Sequence, residues 1–387
     1  MSISSQPLSY CTNVHPGRTV AEVLEGLDRY TVAVQRRLGH PIAAGLWLAQ
    51  PVVNELLQRS DGPQWFAEQL QQRNLLCYTL NAFPFGDFHS TRVKEKVYQP
   101  DWSTVERLEY TKNCATVLAA LFPPNGEGSI STLSLGFKAS MRSAGFLELC
   151  MERLLECARF LDVLLQQTGR LIRLAIEPEP LCLLETTAEV TRFFRRLFDT
   201  AQALGITQIA LRHLGVCYDI CHQAVEFEEP AESVSALHAA GVRINKVHVS
   251  CALQLDGPAQ NSAGRAALKK FVEPRYLHQV IARSAEGPLH RLVDLDEAFI
   301  DAPPADFLNA QAWRIHFHVP ISAKNMGELG TTQFALKPAL AAIAALDYAP
   351  HLEVETYTWN VLPGARADLV AGLADELSAA QHILDEL

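Results

Sequence analysis

Between residues 172 and 251, successive apolar, strand-like runs each end on side chains able to bind a cation or move a proton. "IRLAIEPEP" presents Glu177 and Glu179, "GVCYDICHQ" presents Asp219 with His222 after it, and "RINKVHVSC" presents His248. Two later runs repeat the pattern: "WRIHFHVP" carries His316 and His318, and "HLEVETYTW" carries Glu353 and Glu355. Residues i and i+2 of a strand lie on one face, so His316 and His318 share a face, as do Glu353 and Glu355. Charged groups on strands are expensive to bury without partners. Carboxylates and imidazoles gathered at strand ends therefore point to a divalent metal that takes oxygen and nitrogen donors: Mn, Mg, Fe, Co or Zn. Each position also has a structural reading. Asp219 is a favoured helix N-cap, Pro178 and Pro180 make "EPEP" a rigid turn, and a histidine on an apolar strand, such as His248, can simply be a satisfied core residue. Of the last two glutamates, Glu355 sits nearer the strand's C-terminal end and is the preferred ligand. Glu179 is expected to support the site from behind.

The elements that must position these residues alternate along the chain. Strands are expected at 8–14, 43–49, 74–84, 129–136, 172–178, 215–220, 243–251, 313–320 and 351–359. Helices are expected at 19–39, 101–122, 144–168, 186–204, 231–240 and 332–346, the first opened by Thr19 with Glu22 three residues on. Repeated strand-then-helix units imply parallel strands with right-handed crossovers. An open doubly wound sheet would carry a glycine-rich phosphate loop after its first strand. "CTNVHPGRT" is not one, so no nucleotide cofactor is expected. The fold expected is α/β: a single (β/α)8 TIM-barrel domain over 1–387, with active-site residues at the C-terminal ends of its strands. Nine strand candidates compete for eight places. The region 252–312, with "YLHQVIARS" and "LHRLVDL", reads as an antiparallel hairpin inserted after the seventh strand. Either 243–251 or 313–320 then lies outside the barrel. In the second case His248 is the imidazole ligand; in the first, His316 or His318 takes that place. His15, at the end of the first strand, is placed to reach the mouth and bind substrate. Lys138 and Arg142 are candidates for holding a phosphate or carboxylate. Phe83, Phe85, Phe88, Tyr357 and Trp359 are candidates for an apolar wall beside a ring.

Composition narrows the partners. The 387 residues are 48% hydrophobic and 20% charged, with a net charge of −10. A nucleic-acid partner would need a basic footprint, so none is expected. The nine cysteines form no CxxC pair and fall mostly in apolar runs, as small buried hydrophobes of a reducing compartment do. "MSISSQPLSYCTNVHPG" lacks the basic and apolar regions of a signal peptide, and no apolar stretch approaches a bilayer's thickness. The expectation is a cytoplasmic protein with no direct membrane insertion.

Glu177 in "LAIEP", Asp219-x-x-His222, His248 in "KVHVS" and a glutamate on the last strand resemble, in order and spacing, the xylose-isomerase-like TIM-barrel superfamily of sugar phosphate isomerases and epimerases. That resemblance implies one metal held by Glu177, Asp219, His248 and Glu355, with Glu177 and Glu355 also moving the proton and His222 touching substrate. "WRIHFHVPI", "YLHQV" and "EVETYTWNVLP" are similar to the metabolite traffic protein EboE family over nearly the whole chain. Its association with a sugar-phosphate-cyclase-like enzyme implies a sugar- or cyclitol-type substrate in a metabolite biosynthesis or export pathway, and barrels of this kind imply a homo-oligomer. The activity expected is isomerisation or epimerisation through a metal-stabilised enediolate. Two alternatives use the same barrel. A metal-dependent phosphoesterase of the endonuclease IV-like branch would hold more than one metal and recruit His222, His316 and His318. A non-catalytic small-molecule binding barrel would keep the ligand site without turnover.

Overall fold

The strands from 171 to 249 are mostly apolar and largely buried, the pattern of a parallel sheet covered on both faces. The computed structural model, which describes residues 6–140, 145–285, 287–364 and 368–387, closes these runs into a parallel barrel. Its first seven strands are β1 (Ser9–Cys11), β2 (Ala43–Trp47), β3 (Thr79–Asn81), β4 (Glu127–Thr132), β5 (Leu171–Ile176), β6 (Leu214–Asp219) and β7 (Ile244–Val249). The chain then leaves the barrel for an antiparallel sheet: β8 (Cys251–Asp256), β9 (Val280–Arg283), β10 (His290–Leu292), β11 (Ala312–Val319), β12 (Asn325–Met326) and β13 (Leu329–Thr331). It returns as β14 (His351–Val354), which pairs with both β7 and β1 and completes the circle.

The surplus strand is thereby assigned. "WRIHFHVP" is β11, antiparallel to β8 and β9 and outside the barrel, while His248 stands on the barrel strand β7. The expected hairpin is present, β9 pairing antiparallel with β10. The segment outside the barrel does not stop at 312 as expected; it continues through Thr331, because β13 completes its pairing only on β8. The reason is the short step between β7 and β8. Ser250 alone separates them, so the sheet begins at the barrel's mouth and β8 must find its partners among strands further along the chain.

Helices cover the barrel with locally determined ends. Thr19 accepts from Glu22 N, and Thr186 forms a full capping box with Glu189 at the start of helix Thr187–Ala203. The long expected helix 19–39 is interrupted by a π turn at Leu27–Thr31 and stops at Gly39, which has φ +73°.

A buried ion pair lies inside the barrel. Lys246 Nζ is 2.6 Å from Glu353 Oε1, both side chains fully buried, and donates also to Ser131 Oγ at 3.1 Å. The pair lowers the Glu353 pKa and raises that of Lys246, each against the cost of burial. Room for it comes from β2: a Cβ on Gly45 would stand 1.5 Å from Glu353 Oε2, so no side chain fits there. Removing one partner of a buried pair strands the other charge, which costs about 3–5 kcal/mol. Lys246→Met should therefore lower the unfolding free energy by that amount, read as a lower urea midpoint at unchanged slope. Adding Glu353→Gln should recover most of it, whereas a double variant as unstable as the single would show that the pair is not the source.

Candidate metal centre

The barrel register sets Asp219, His248 and Glu353 side by side: Asp219 pairs with His248, and His248 with Glu353. Glu177 follows β5 directly and Glu355 follows β14, both at the C-terminal mouth. Ligand atoms of Glu177, Asp219, His248 and Glu355 all lie within 4.8 Å of one another. His248 Nδ1 is the hub, 2.9 Å from Glu177 Oε1, 3.1 Å from Glu355 Oε2 and 3.5 Å from Asp219 Oδ2. Its other nitrogen, Nε2, is 3.2 Å from Glu353 Oε1. Neither atom makes a hydrogen bond, so Glu353 acts on the imidazole by its charge. The two C-terminal glutamates thus divide the work: Glu355 reaches the cluster and Glu353 backs the imidazole.

Each carboxylate is aimed by its neighbours. Asp219 Oδ1 accepts from His222 N at 2.9 Å, the helix cap, and from Ser250 Oγ at 2.8 Å, which leaves Oδ2 facing the cluster. The capping and site roles are therefore carried by separate oxygens of one side chain. Glu355 Oε1 accepts from the amides of Asn13 and Asn81, both at 2.9 Å, turning Oε2 toward His248. The C-terminal helix Leu369–Asp385 braces the same loop, Glu376 accepting from Thr356 Oγ1 at 2.6 Å and Trp359 Nε1 at 2.8 Å. Glu179 accepts from Tyr98 Oη at 2.7 Å, and burial pushes its pKa up to about 7.

The donor set fits a divalent cation. Three carboxylates, none more than 4% exposed, share one imidazole. Glu177 Oε2 and Asp219 Oδ2 are buried without a hydrogen-bond partner. Burial raises the Glu177 pKa, with His248 opposing and Glu355 adding to the rise. At Asp219 burial acts in the same direction, but the imidazoles of His222, His248 and His318 outweigh it and lower the pKa. Carboxylates this close and this dry stay ionised only with positive charge among them, which the imidazoles supply in part and a divalent cation would complete.

His222, His316 and His318 also converge here, His222 from the helix after β6 and the other two from β11. Between Ile315 and His318 β11 slips its register against β8, and such a bulge re-aims side chains. His15 is not brought to the cluster. Its ring is held by Tyr10 Oη at 3.2 Å and packs 4.5 Å from Tyr30, facing the helical cover instead of the mouth. Lys138 is spent on ion pairs with Glu185 and Glu189, and Arg142 lies outside the described residues. Phe83, Phe88 and Tyr357 line a cavity over the site, open to Glu177, Glu179, His222, His316 and Glu355. Phe85 packs instead on Tyr110, and Trp359 on the C-terminal helix. Asn13, Asn81, Tyr98, Ser250 and Gln279 were not anticipated; Asn13 and Asn81 carry the same signal as the carboxylates, a polar residue at a strand end.

No family model matches the chain, and no curated protein matches it. Among solved structures the chain is similar to an L-ribulose 3-epimerase, at 12% identity and a TM-score of 0.51, over 98% of this chain and 95% of that one. It is also similar to a xylose isomerase-like TIM barrel protein from Mycobacterium smegmatis in complex with magnesium, at 11% identity and a TM-score of 0.50, over 100% and 99%. The chain shares with these structures the TIM-barrel fold.

A cation that binds only the folded chain stabilises it by mass action. Excess Mn²⁺, at about 100 times its dissociation constant, should raise the unfolding free energy of chelator-treated protein by about 2.7 kcal/mol. Asp219→Asn keeps the cap and should abolish most of that gain in a thermal or denaturant melt. An equal gain in the variant would remove Asp219 from the ligand set.

Proposed function

We propose that the protein is a divalent-metal-dependent isomerase or epimerase acting on a sugar- or cyclitol-type small molecule. The observation that carries this reading is the pairing of two glutamates, Glu177 and Glu355, on either side of the His248 hub and both facing the cavity. Glu177, Asp219, His248 and Glu355 would hold the ion, which when bound supplies a Lewis acid beside the substrate carbonyl.

The chain's own residues supply the proton chemistry. Glu177 Oε2, unpartnered and buried, takes the proton from the carbon next to the carbonyl. Glu355 approaches from β14, two barrel strands beyond β6, and, once protonated from solvent, gives its own proton from Oε2 while Asn13 and Asn81 hold Oε1 still; Glu177 then releases the proton it took to solvent, which resets the pair. Return to the same carbon inverts it, and return to the adjacent carbon isomerises. Phe83, Phe88, Tyr276 and Tyr357 wall the cavity and keep water from the carbon that loses its proton. A sugar-type substrate is in keeping with the epimerase that shares the fold. The resemblance of "WRIHFHVPI" and "EVETYTWNVLP" to the EboE family favours a cyclitol-like one in a biosynthesis or export pathway.

In D₂O, the metal-loaded protein should exchange deuterium into the α-position of its substrate, found by screening ketoses and cyclitol ketones by NMR. Glu177→Gln should slow that exchange by about 10²–10⁴-fold. Undiminished exchange in this variant would sink the assignment of the base.

A further inference from the structure

The cavity over the barrel mouth has a floor and a wall of opposite character. At its floor stand Asn13, Glu177, His222, His316 and Glu355. Glu177 Oε2 and Asn13 Oδ1 are buried there without a hydrogen-bond partner. Asn13 cannot turn its amide round to hide that oxygen. Its Nδ2 donates to Glu355 Oε1 at 2.9 Å, and an ionised carboxylate only accepts. The floor therefore holds open positions for a carbonyl with neighbouring hydroxyls.

The wall comes from segments outside the barrel strands. Phe83, Phe88, Val93 and Val97 follow β3, Leu277 belongs to the inserted segment, and Tyr357 follows β14. Polar groups that reach this wall are already spent. Lys94 is 5% exposed, and its ammonium hydrogens go to Glu273 O at 3.0 Å, Tyr276 O at 2.6 Å and Asp294 Oδ2 at 2.7 Å. That is the full complement of an ammonium group. Tyr276 Oη donates to Phe88 O at 3.1 Å, and Tyr98 Oη donates to Glu179 Oε1 at 2.7 Å. Asn81 is used at both ends, by Glu355 Oε1 and by the Phe83 amide, each at 2.9 Å. Of the three phenols, Tyr357 keeps an uncommitted hydroxyl, and its ring packs on Phe88 and Tyr276 with centroids 5.6 and 5.0 Å away. A hydroxyl taken out of water against such a wall, with no partner to meet it, weakens binding about 5- to 150-fold. A methylene buried in the same place tightens binding about fourfold.

We infer that the substrate is a hydroxyketone whose far side is apolar, an aryl or alkyl group, and not a free polyol. The inference rests on the proton-transfer reading for the hydroxyketone head and adds the rest of the molecule. The head lies on the floor, where the unpartnered oxygens are. The apolar group lies between the chain after β3 and the inserted segment, which Lys94 fastens together through Glu273, Tyr276 and Asp294. The insertion thereby helps to select the substrate as well as cover the site.

The test is isothermal titration of the Mn²⁺-loaded full chain with ketones that share one CO–CH₂OH head: hydroxyacetone, its ethyl and butyl ketone homologues, phenacyl alcohol, and the polyol L-erythrulose. Affinity should rise about fourfold per methylene along the alkyl series, and phenacyl alcohol should bind at least about tenfold more tightly than L-erythrulose. Phe88→Ala, in samples shown by circular dichroism to be folded, should cut that preference by about tenfold. The wild-type series covers the case in which the variant does not fold. Flat affinity along the alkyl series, L-erythrulose bound as tightly as phenacyl alcohol, or no binding of the apolar ketones would overturn the inference. Binding is read here without turnover. Absence of α-proton exchange would therefore overturn the proton-transfer reading and leave these affinities standing, so the two fail separately.

Discussion

Buried negative charge at one end of the barrel organises this molecule. Glu177, Asp219, Glu353 and Glu355 all surround His248, and none has access to bulk water worth the name. Taking a carboxylate out of water costs several kcal/mol even after relaxation. Each one is therefore provided for. Lys246 neutralises Glu353 from within the barrel, and Gly45 leaves the space that the glutamate fills. Asn13 and Asn81 hold one oxygen of Glu355, and Ser250 with the helix amide holds one oxygen of Asp219. What remains unprovided is the set of inner oxygens, and these all face the same point.

The inserted sheet is as much a part of the mouth as the barrel is. Ser250 bonds Asp219 at the place where the chain turns from β7 into β8, so the start of the insertion is tied to the cluster. β11 then brings His316 and His318 over the barrel, and Gln279, one residue before β9, meets His316 Nδ1. Tyr276 and Tyr357 close over the space from opposite segments, their rings 5.0 Å apart. A barrel with a short loop here would have an open, wet site. The insertion makes it dry, which strengthens every electrostatic interaction inside it.

The strand-end logic reads the fold where the signal is local, and it names polar residues that the fold places near one another. A carboxylate or imidazole closing an apolar run is visible in one dimension, and Glu177, Asp219, His248 and Glu355 are legible that way and brought together by the barrel. The same logic applied to His15 misleads, because Tyr10 and Tyr30 capture that ring and neither partnership can be read from spacing. Arg142 lies outside the described residues, and Lys138 is committed to two glutamates far along the chain.

By itself the sequence determined the alternation of strands and helices, the closed parallel barrel, and the residue types presented at its C-terminal end. These come from hydrophobic period and from the expense of burying charge, and both are properties of short segments. Only the tertiary structure decided that β11 lies outside the barrel, that Glu353 pairs with Lys246 while Glu355 faces the cluster, and which partner each histidine nitrogen meets. Those outcomes depend on register between strands and on hydrogen-bond partners more than a hundred residues apart, such as Glu355 with Asn13 and Lys246 with Ser131. No local pattern encodes a partner at that distance, because what selects it is the closure of the barrel in three dimensions.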